Sequence, residues 1–379
     1  MAKAGQKGFG HYIALVVIVI AVLAYLIPIY WIVVTSLKSP GDLATKVPKF
    51  IFRITFENYR KLMPQEIPAL SYLFLAQGII GLLLSLVPHR LARLSLVWNG
   101  LFILTCLYAV VTTRNFNFLL FALYAIGVYW IIAKMTAPPR QIRYAFINAG
   151  IFAIVAISLT FAHAGSKYFH QLLNSIIVGV SSTILAVGLG TISAYAFSRF
   201  RIAGKEDLLF FILSTRMLPP IVVVIPIYLM YSAIGLRDTH FGLILLYTTF
   251  NVSFAVWLMK GFIDEIPKEY EDAALVDGYT RFQTFLKVVL PQSVTGIAAT
   301  AVFCLITAWN EFAFALVLTE VGGKAVTAPP SIPSATGSGG IEWAKIAAST
   351  FVFLLPVAIF TFLMRSHLLR GVTFGAVKK

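Results

Sequence analysis

Long apolar runs, separated by short polar segments, make up most of this sequence. A helix needs about 20 mainly apolar residues to cross the hydrocarbon core of a bilayer. Backbone groups in lipid must find hydrogen-bond partners within the protein, which favours helices for such runs. Ten runs come close to that length, and they predict spans at residues 12–36, 69–87, 94–112, 116–133, 144–162, 171–198, 208–232, 241–261, 294–318 and 344–364. The predicted fold class is therefore all-α, a polytopic membrane helical bundle.

Composition supports a membrane protein. Hydrophobic residues make up 59% of the 379 residues and charged residues only 12%, whereas soluble domains carry about 25% charged residues. So few charges cannot cover a surface that faces water everywhere. The first run, 12–36, is longer than the apolar part of a signal peptide and no small-residue cleavage site follows it, so it is interpreted as a retained first helix.

The chain has a net charge of +15, and the distribution of its Lys and Arg residues among the loops predicts an orientation. Lys and Arg concentrate in the loops of membrane proteins that stay in the cytoplasm. With the N-terminus inside, every inside segment carries at least two of them, and every outside segment carries at most two except the basic first outer loop. Both termini are therefore predicted to be cytoplasmic. This pattern explains the charge without a nucleic-acid partner, which we do not expect.

Several kinds of chemistry find no support in the sequence. Cys106 and Cys304 each lie within an apolar run, and the six histidines show no metal-ligand spacing, so neither a disulfide framework nor a metal or cofactor site is predicted. No Gly-x-x-x-x-Gly-Lys-[Ser/Thr] phosphate-binding loop occurs. Catalytic residues are not predicted.

The inside segment 262–293 differs from the other loops because it is long, acidic and amphipathic. It contains Glu271-Asp272-Ala273-Ala274-Leu275-Val276-Asp277-Gly278. Pro267 and the acidic residues after it suit the first turn of a helix, and Gly278 suits a left-handed stop. A second helix is predicted, with one apolar face at helical spacing made of Phe282, Phe285, Leu286 and Val289.

Three interpretations of this helix pair remain open on physical grounds. The pair could lie on the membrane surface, or it could be a packed loop with no special role. Alternatively, Ala273 and Ala274 present almost no side chain and are flanked by acids, which suits docking to a basic cytoplasmic partner.

The acidic segment, followed by Leu290-Pro291, resembles the EAA loop of binding-protein-dependent ABC importer permeases. That family usually has Glu immediately before the two Ala, whereas this chain has Asp272 there and Glu271 one position earlier. Which of these two acids contacts the ATPase is left open. Other segments resemble the maltose-type carbohydrate permeases, in the family's order: Leu172-Leu173-Asn174-Ser175, Ala194-Tyr195-Ala196-Phe197-Ser198-Arg199, Met217-Leu218-Pro219-Pro220, Gly235-Leu236-Arg237-Asp238-Thr239, Trp309-Asn310-Glu311-Phe312 and Arg370–Lys378.

The resemblance implies a permease subunit of the bacterial cytoplasmic membrane that carries a carbohydrate by alternating access. The ATPase-coupling residues would be Glu271, Asp272, Ala273, Ala274, Asp277 and Gly278. Its partners would be a dimer of ATP-binding subunits, a second and usually different permease subunit, a periplasmic or extracellular solute-binding protein, and membrane lipid. ATP and Mg²⁺ would bind to the ATPase subunits, so this chain is expected to bind no cofactor and to be no enzyme.

The same resemblance divides the chain into three parts. Residues 1–62 look like the family's first span and outer loop, and 166–379 look like the rest of a six-span type I core. Residues 63–165 match nothing in the family and are interpreted as an insertion of four spans. An even number of inserted spans keeps the segment 262–293 in the cytoplasm.

Glu311 is the only acidic residue deep within a predicted span, and an ionisable residue in the membrane indicates a functional site by default. With Trp309 and Asn310 it could line a sugar path; alternatively, it makes a structural hydrogen bond within the bundle. For Arg216, a packing or interface role is favoured over contact with a substrate. The alternatives for the whole chain are a permease of the same fold for a polyol, a glycerol phosphate ester or a peptide, and an unrelated channel or membrane enzyme.

Overall fold

A computed structural model of the protein describes residues 9–43, 49, 51–63, 68–86, 92–113, scattered positions between 118 and 160, 167–320, 322–334, 336–337 and 340–373. These residues are mainly helical. The helices are α1 (Phe9–Ser36), α2 (Pro40–Leu43), α3 (Glu57–Leu62), α4 (Ala69–Leu86), α5 (Ala92–Thr113), α6 (Lys167–Arg199), α7 (Lys205–Ser214), α8 (Pro220–Ala233), α9 (His240–Asp264), α10 (Glu269–Val276), α11 (Arg281–Thr284), α12 (Leu290–Gln292), α13 (Val294–Trp309), α14 (Ala313–Leu318), α15 (Ala328–Ser331) and α16 (Trp343–Thr373).

Four shorter elements complete the described chain. A 3₁₀ turn spans Thr215–Met217, and a π-helical turn spans Phe285–Val289. Two short antiparallel strands, β1 (Thr336–Gly337) and β2 (Gly340–Ile341), pair with each other. They are a local addition to an otherwise helical fold.

Helix length and composition give four to six candidate membrane spans in the described ranges. Helices α1, α6, α9 and α16 are each long and apolar enough to cross a membrane alone. Two bent helix pairs meet the same criteria together. The predicted all-α, multi-span fold is therefore confirmed in kind. Most of the predicted spans 116–133 and 144–162 lies outside the described residues, so the total of about ten stays a prediction.

The predicted continuous span 208–232 is wrong in detail because the chain breaks in its middle. Helices α7 and α8 meet at an angle of 91°. Pro219 has an extended backbone, and Pro220 begins α8. A proline lacks the N–H that a helix interior needs and disfavours the α conformation in the residue before it, so Pro219-Pro220 forces the break.

The predicted span 294–318 also departs from a single helix. Its first part is α13, which makes an angle of 74° with the preceding residues Arg281–Gln292. Helix α13 ends at Trp309 and α14 begins at Ala313. This second span therefore contains a short non-helical segment at residues 310–312.

Helices α6 and α9 pack at close range along the centre of the described bundle. Gly190 of α6 is buried, and a Cβ placed on it would lie 2.5 Å from the Cβ of Ala255 in α9. Ala255 is itself fully buried. Small residues let membrane helices approach closely, and association then depends on van der Waals packing between their backbones.

The first helix and the region predicted as an insertion differ in packing. Residues 13–31 of α1 are all exposed, although α1 lies against α16. The described part of 63–165 has a buried apolar cluster of its own, which includes Phe74, Phe102 and Phe152 and also takes in Leu173 of α6. The predicted insertion thus packs on one side of α6.

The α6–α9 contact yields a stability prediction. Gly190→Ala removes a flexible residue from a helix, which by itself stabilises by roughly 0.5–1 kcal/mol, but its new methyl group overpacks the contact at a cost of about 1–3 kcal/mol. We expect a lower thermal unfolding midpoint for the purified protein in lipid nanodiscs, followed by tryptophan fluorescence. The matched control is Gly188→Ala, because a Cβ at this exposed glycine meets nothing within 4 Å. A rise of the midpoint in both variants would contradict the close contact.

Candidate functional site

Helix α10 forms from the acidic segment as the sequence predicts. Its first turn contains Glu269, Glu271 and Asp272, and negative charge there is stabilised by the helix dipole. Gly278 has φ +86°. The N–H of Gly278 donates to the carbonyl of Leu275 at 3.1 Å, and the N–H after it, at position 279, donates to Ala274 at 3.0 Å. These two bonds form a Schellman cap, so the predicted left-handed stop is confirmed.

The second helix of the pair is less regular than predicted. It starts with a capping box between Thr280 and Gln283 and continues as the π-helical turn. The predicted single apolar face is wrong: Phe285 and Val289 are buried, whereas Phe282 and Leu286 are exposed. Hydrogen bonds in a π-helix run from i to i+5, so residues spaced for an α-helix no longer share one face.

Glu271 is buried in an ion pair that fixes α10 to the end of α6. Its side chain is 2% exposed and that of its partner, Arg199, is 5% exposed. The Arg199 Nε donates to Glu271 Oε1, and the Tyr195 hydroxyl donates to Glu271 Oε2 at 3.0 Å. A buried ion pair is stable only where further hydrogen bonds satisfy its remaining polar atoms, and both carboxylate oxygens here have a donor.

Arg199 also connects α10 to the end of α9. Its Nη2 donates to the carbonyls of Ile263 at 3.0 Å and Ile266 at 2.8 Å. Ile263 lies in the last turn of α9, and Ile266 follows that helix. One guanidinium therefore holds three chain segments together: the end of α6, the end of α9 and the first turn of α10.

The other predicted coupling residues divide into two groups. Ala274 is buried with Glu271 on the inner side of α10. Asp272, Ala273, Asp277 and Gly278 are exposed, as is Val276 at 88%. The outer side of α10 thus presents acids, one small residue and one apolar side chain.

Sequence reasoning did not find Arg199 and Tyr195 as the partners of Glu271. A signal was present, because both belong to the segment 194–199 that carries part of the family resemblance. The contact arises only in the fold, because Glu271 of α10 follows Tyr195 by 76 residues in the sequence.

The three residues predicted for a substrate path are not brought together. Trp309 is buried, stacks on Phe353 of α16 at 5.1 Å between ring centroids, and donates its N–H to the carbonyl of that residue. Asn310 is exposed and donates to the carbonyl of Ile306 in its own helix at 2.9 Å. Of the three, Glu311 alone lines the cavity among α8, α9, α13 and α14.

Glu311 makes structural hydrogen bonds within the bundle, which is the alternative role that the sequence leaves open for it. Its carboxylate accepts from the backbone N–H groups of Phe314 at 2.9 Å and Ala315 at 3.0 Å, which are otherwise unpaired at the start of a helix. It also accepts from the Tyr247 hydroxyl at 2.8 Å. Glu311 therefore caps α14 and joins it to α9.

The cavity beside Glu311 has a volume of about 190 Å³ and lies among α8, α9, α13 and α14. Its polar lining includes Arg216, Asn251 and Thr307, and its aromatic lining includes Tyr247, Phe250 and Phe314. The sequence interpretation favoured packing for Arg216, and the Arg216 guanidinium does lie 4.8 Å from the centre of the Phe254 ring. The same side chain nevertheless lines this cavity.

At the opposite end of α6, hydrogen bonds hold part of the loop between α14 and α15, which we call the outer loop because the predicted orientation places it outside. The Asn174 Nδ2 donates to the carbonyls of Lys324 and Val326, both at 2.9 Å. The Asp238 carboxylate accepts from the backbone N–H of Lys324 at 2.9 Å. Gly323 fits here because a Cβ on it would lie 2.4 Å from Asp238 Oδ1.

Comparison with known proteins agrees with this architecture. The family of inner membrane components of binding-protein-dependent transport systems matches residues 186–373. The trehalose transport system permease protein SugB of Mycobacterium tuberculosis is 39% identical over 216 residues, which are 56% of this chain and 78% of that protein. The osmoprotective compounds uptake permease protein GgtD of Synechocystis is 32% identical over 209 residues, 54% of this chain and 69% of that protein.

A third relative and a solved structure extend the comparison. The trehalose/maltose transport system permease protein MalG of Thermococcus litoralis is 30% identical over 206 residues, 54% of this chain and 74% of that protein. A chain in the crystal structure of a bacterial ABC transporter involved in the import of the acidic polysaccharide alginate superposes with a TM-score of 0.52 at 17% identity, over 97% of this chain and 98% of that one. This last likeness concerns the fold alone. The predicted resemblance to binding-protein-dependent permeases is thus confirmed, and the chain belongs to the family of binding-protein-dependent transport system inner membrane components.

Proposed function

We propose that this chain is the permease subunit of an ATP-driven importer that carries a carbohydrate across the bacterial cytoplasmic membrane. The observation that carries the proposal is the two-sided construction of α10: Glu271 anchors the inner side, while Asp272 and Ala273 are exposed on the outer side. Such a helix is fixed to its own subunit and free to contact another. The relatives named for trehalose and trehalose/maltose transport support the carbohydrate.

The two neighbouring acids receive different roles in this proposal. Glu271 is enclosed by Arg199 and Tyr195, so it positions the helix. Asp272 is the acid that contacts the ATP-binding subunit, with Ala273, Asp277 and Gly278 beside it. Ala274 packs inward with Glu271. ATP and Mg²⁺ would be held by the ATPase dimer, and this chain would supply no group to ATP hydrolysis.

The Arg199 contacts suggest how a displacement of α10 is transmitted to the membrane-spanning helices. When the ATPase subunits close and displace α10, the ends of α6 and α9 must follow, because one guanidinium bonds all three segments. Helices α6 and α9 pack closely along their length, so the displacement would move them as a pair. The second permease subunit would form the other wall of the path. A solute-binding protein would deliver the solute on the outer side of the membrane, and both termini of this chain would lie on the cytoplasmic side.

A second candidate function is the uptake of a polyol or another osmoprotective solute by the same mechanism. The relative named for osmoprotective compounds supports it. Both candidates share the coupling machinery and differ only in the solute.

The ion pair gives the first prediction of this section. Arg199→Met leaves the Glu271 carboxylate buried without its cation, which costs about 3–5 kcal/mol. We expect a marked fall in the thermal unfolding midpoint of the nanodisc-embedded protein. The control is Lys260→Met, which breaks the more exposed pair with Asp264, whose side chains are 22% and 42% exposed, and such surface pairs are worth about 0–1 kcal/mol. Equal shifts in the two variants would show that the buried pair has no special weight.

Docking through Asp272 is tested by affinity purification from native membranes. Asp272→Lys reverses an exposed charge and should reduce the co-purifying ATP-binding subunit at least about tenfold, because like charges across an interface cost several kcal/mol. The protein itself should keep its thermal stability. Glu320→Lys serves as the control, since Glu320 is an exposed acid in the outer loop. Full recovery of the ATPase with the Asp272 variant would refute the assigned contact.

The solute is tested by uptake of radiolabelled trehalose and maltose into cells that lack this chain or carry it on a plasmid. We expect the deletion to abolish uptake of at least one of the two sugars and the plasmid to restore it. Unchanged sugar uptake together with chain-dependent uptake of radiolabelled glycerol or mannitol would favour the second candidate instead.

A further inference from the structure

Two buried polar atoms on the residues that line the cavity among α8, α9, α13 and α14 have no hydrogen-bond partner among the described residues. These are Nη1 of Arg216 and Oδ1 of Asn251. Both side chains line the same cavity. Buried polar atoms are nearly always hydrogen-bonded in folded proteins, so each exception calls for an explanation.

Arg216 lies at the break between α7 and α8. Its guanidinium is held against the Phe254 ring, and within the described residues no carboxylate lies within 4 Å of it. A charged residue in a membrane-spanning region is costly and marks a functional site by default. The ring fixes the position of the guanidinium and leaves an N–H donor for another group.

Asn251 lies in the middle of α9 and is 1% exposed. Its Nδ2 donates to the carbonyl of Cys304 at 3.3 Å, which fixes the orientation of the side-chain amide. Its Oδ1 accepts nothing from the described residues. The side chains that line the cavity therefore carry an oriented acceptor as well as a free donor.

The other charged group in the cavity does not compensate either of them. The Glu311 carboxylate already accepts hydrogen bonds from Tyr247, Phe314 and Ala315. Its charge is used to cap α14. The rings of Phe250 and Phe314 stack at 5.0 Å between centroids and supply an apolar wall.

We propose that Arg216 and Asn251 form a contact site for the transported solute, and that this site recognises the hydroxyl groups of an uncharged ring. The inference rests on the proposed import function and adds to it the residues that select the solute. Hydroxyl groups can accept from an arginine and can also donate to an amide oxygen, so they suit both kinds of atom. A carboxylate has no hydrogen to donate to Asn251, and an ammonium group is repelled by Arg216.

The size of the cavity limits what it holds. Small-molecule sites usually measure about 300–1,000 Å³, whereas this cavity has about 190 Å³. It therefore receives one ring of the solute, and the remainder lies outside it. Its lining combines polar groups with two stacked aromatic rings, which suit the edge and the face of a sugar ring.

The test uses the whole transporter in cells and compares trehalose with its monodeoxy derivatives. A site that hydrogen-bonds a substrate hydroxyl rejects the analogue that lacks it. We expect wild-type cells to take up at least one monodeoxy trehalose at least about tenfold more slowly than trehalose. In Asn251→Leu and Arg216→Gln, trehalose uptake falls to the rate of that analogue, so the discrimination is lost.

Two matched variants separate recognition from packing. Asn99 is also a fully buried asparagine with unpaired side-chain atoms, but it lies in α5 away from the cavity. Arg237 also stacks on an aromatic ring, that of Tyr228 at 4.4 Å, near the outer loop. Asn99→Leu and Arg237→Gln are expected to keep both trehalose uptake and the discrimination against the analogue.

The outcomes distinguish this inference from the proposed function. If wild-type cells transport trehalose and the two cavity variants keep full discrimination, the contact site is refuted while the import function stands. The site is also refuted if the control variants lose discrimination to the same extent. If uptake of neither trehalose nor maltose depends on this chain, the carbohydrate assignment itself fails, and the contact site fails with it.

Discussion

The buried ion pair between Arg199 and Glu271 is the constraint on which the arrangement of this subunit depends. Removing two charges from water is costly, and the cost is recovered only when geometry and further hydrogen bonds are favourable. Here Tyr195 and the carbonyls of Ile263 and Ile266 supply those bonds. None of the three segments can shift alone without exposing or stranding a charge. Helix α10 lies on the surface of the bundle, and these contacts hold it firmly to the ends of α6 and α9.

Helix α6 is restrained in a comparable way at its other end. Near its start, the Asn174 Oδ1 accepts a hydrogen bond from the His240 Nε2 at 2.8 Å, and the Asn174 Nδ2 donates to two carbonyls of the outer loop. Near its end it carries Arg199. One long helix thus connects the outer loop to α10 through side chains rather than through sequence neighbours. Close backbone packing at Gly190 adds α9 to the same unit, so a displacement at one end has a continuous path to the other.

The sequence predicted those features that depend on local chemistry. Acids in the first turn of α10, glycine at its end, and the apolar length of α6 and α9 each depend on neighbouring residues. Pro267 lies two residues before α10 and not in its first turn as predicted. The sequence could not predict which of Glu271 and Asp272 is buried. Successive helical residues point about 100° apart, and the position of Arg199, 72 residues before Glu271, decides which acid faces inward. Trp309 and Glu311 are predicted to share a site because they are close in sequence. The break after α13 separates them: Trp309 packs on α16, whereas Glu311 lines a cavity. The proposed role of Asp272 and the division of the chain at residues 63 and 165 remain predictions.

The break at Pro219-Pro220 and the non-helical residues 310–312 border the same cavity. Leu218 and Pro220 belong to the first break, and Glu311 follows the end of α13 in the second. Non-helical backbone at membrane depth is tolerated where it is buried in protein or lines a polar cavity, because its N–H and C=O groups need partners there. Glu311 supplies such partners at the second break by accepting two backbone N–H groups. The breaks and the cavity are therefore one feature: interrupting the helices creates the polar space, and a carboxylate in that space stabilises the interruption.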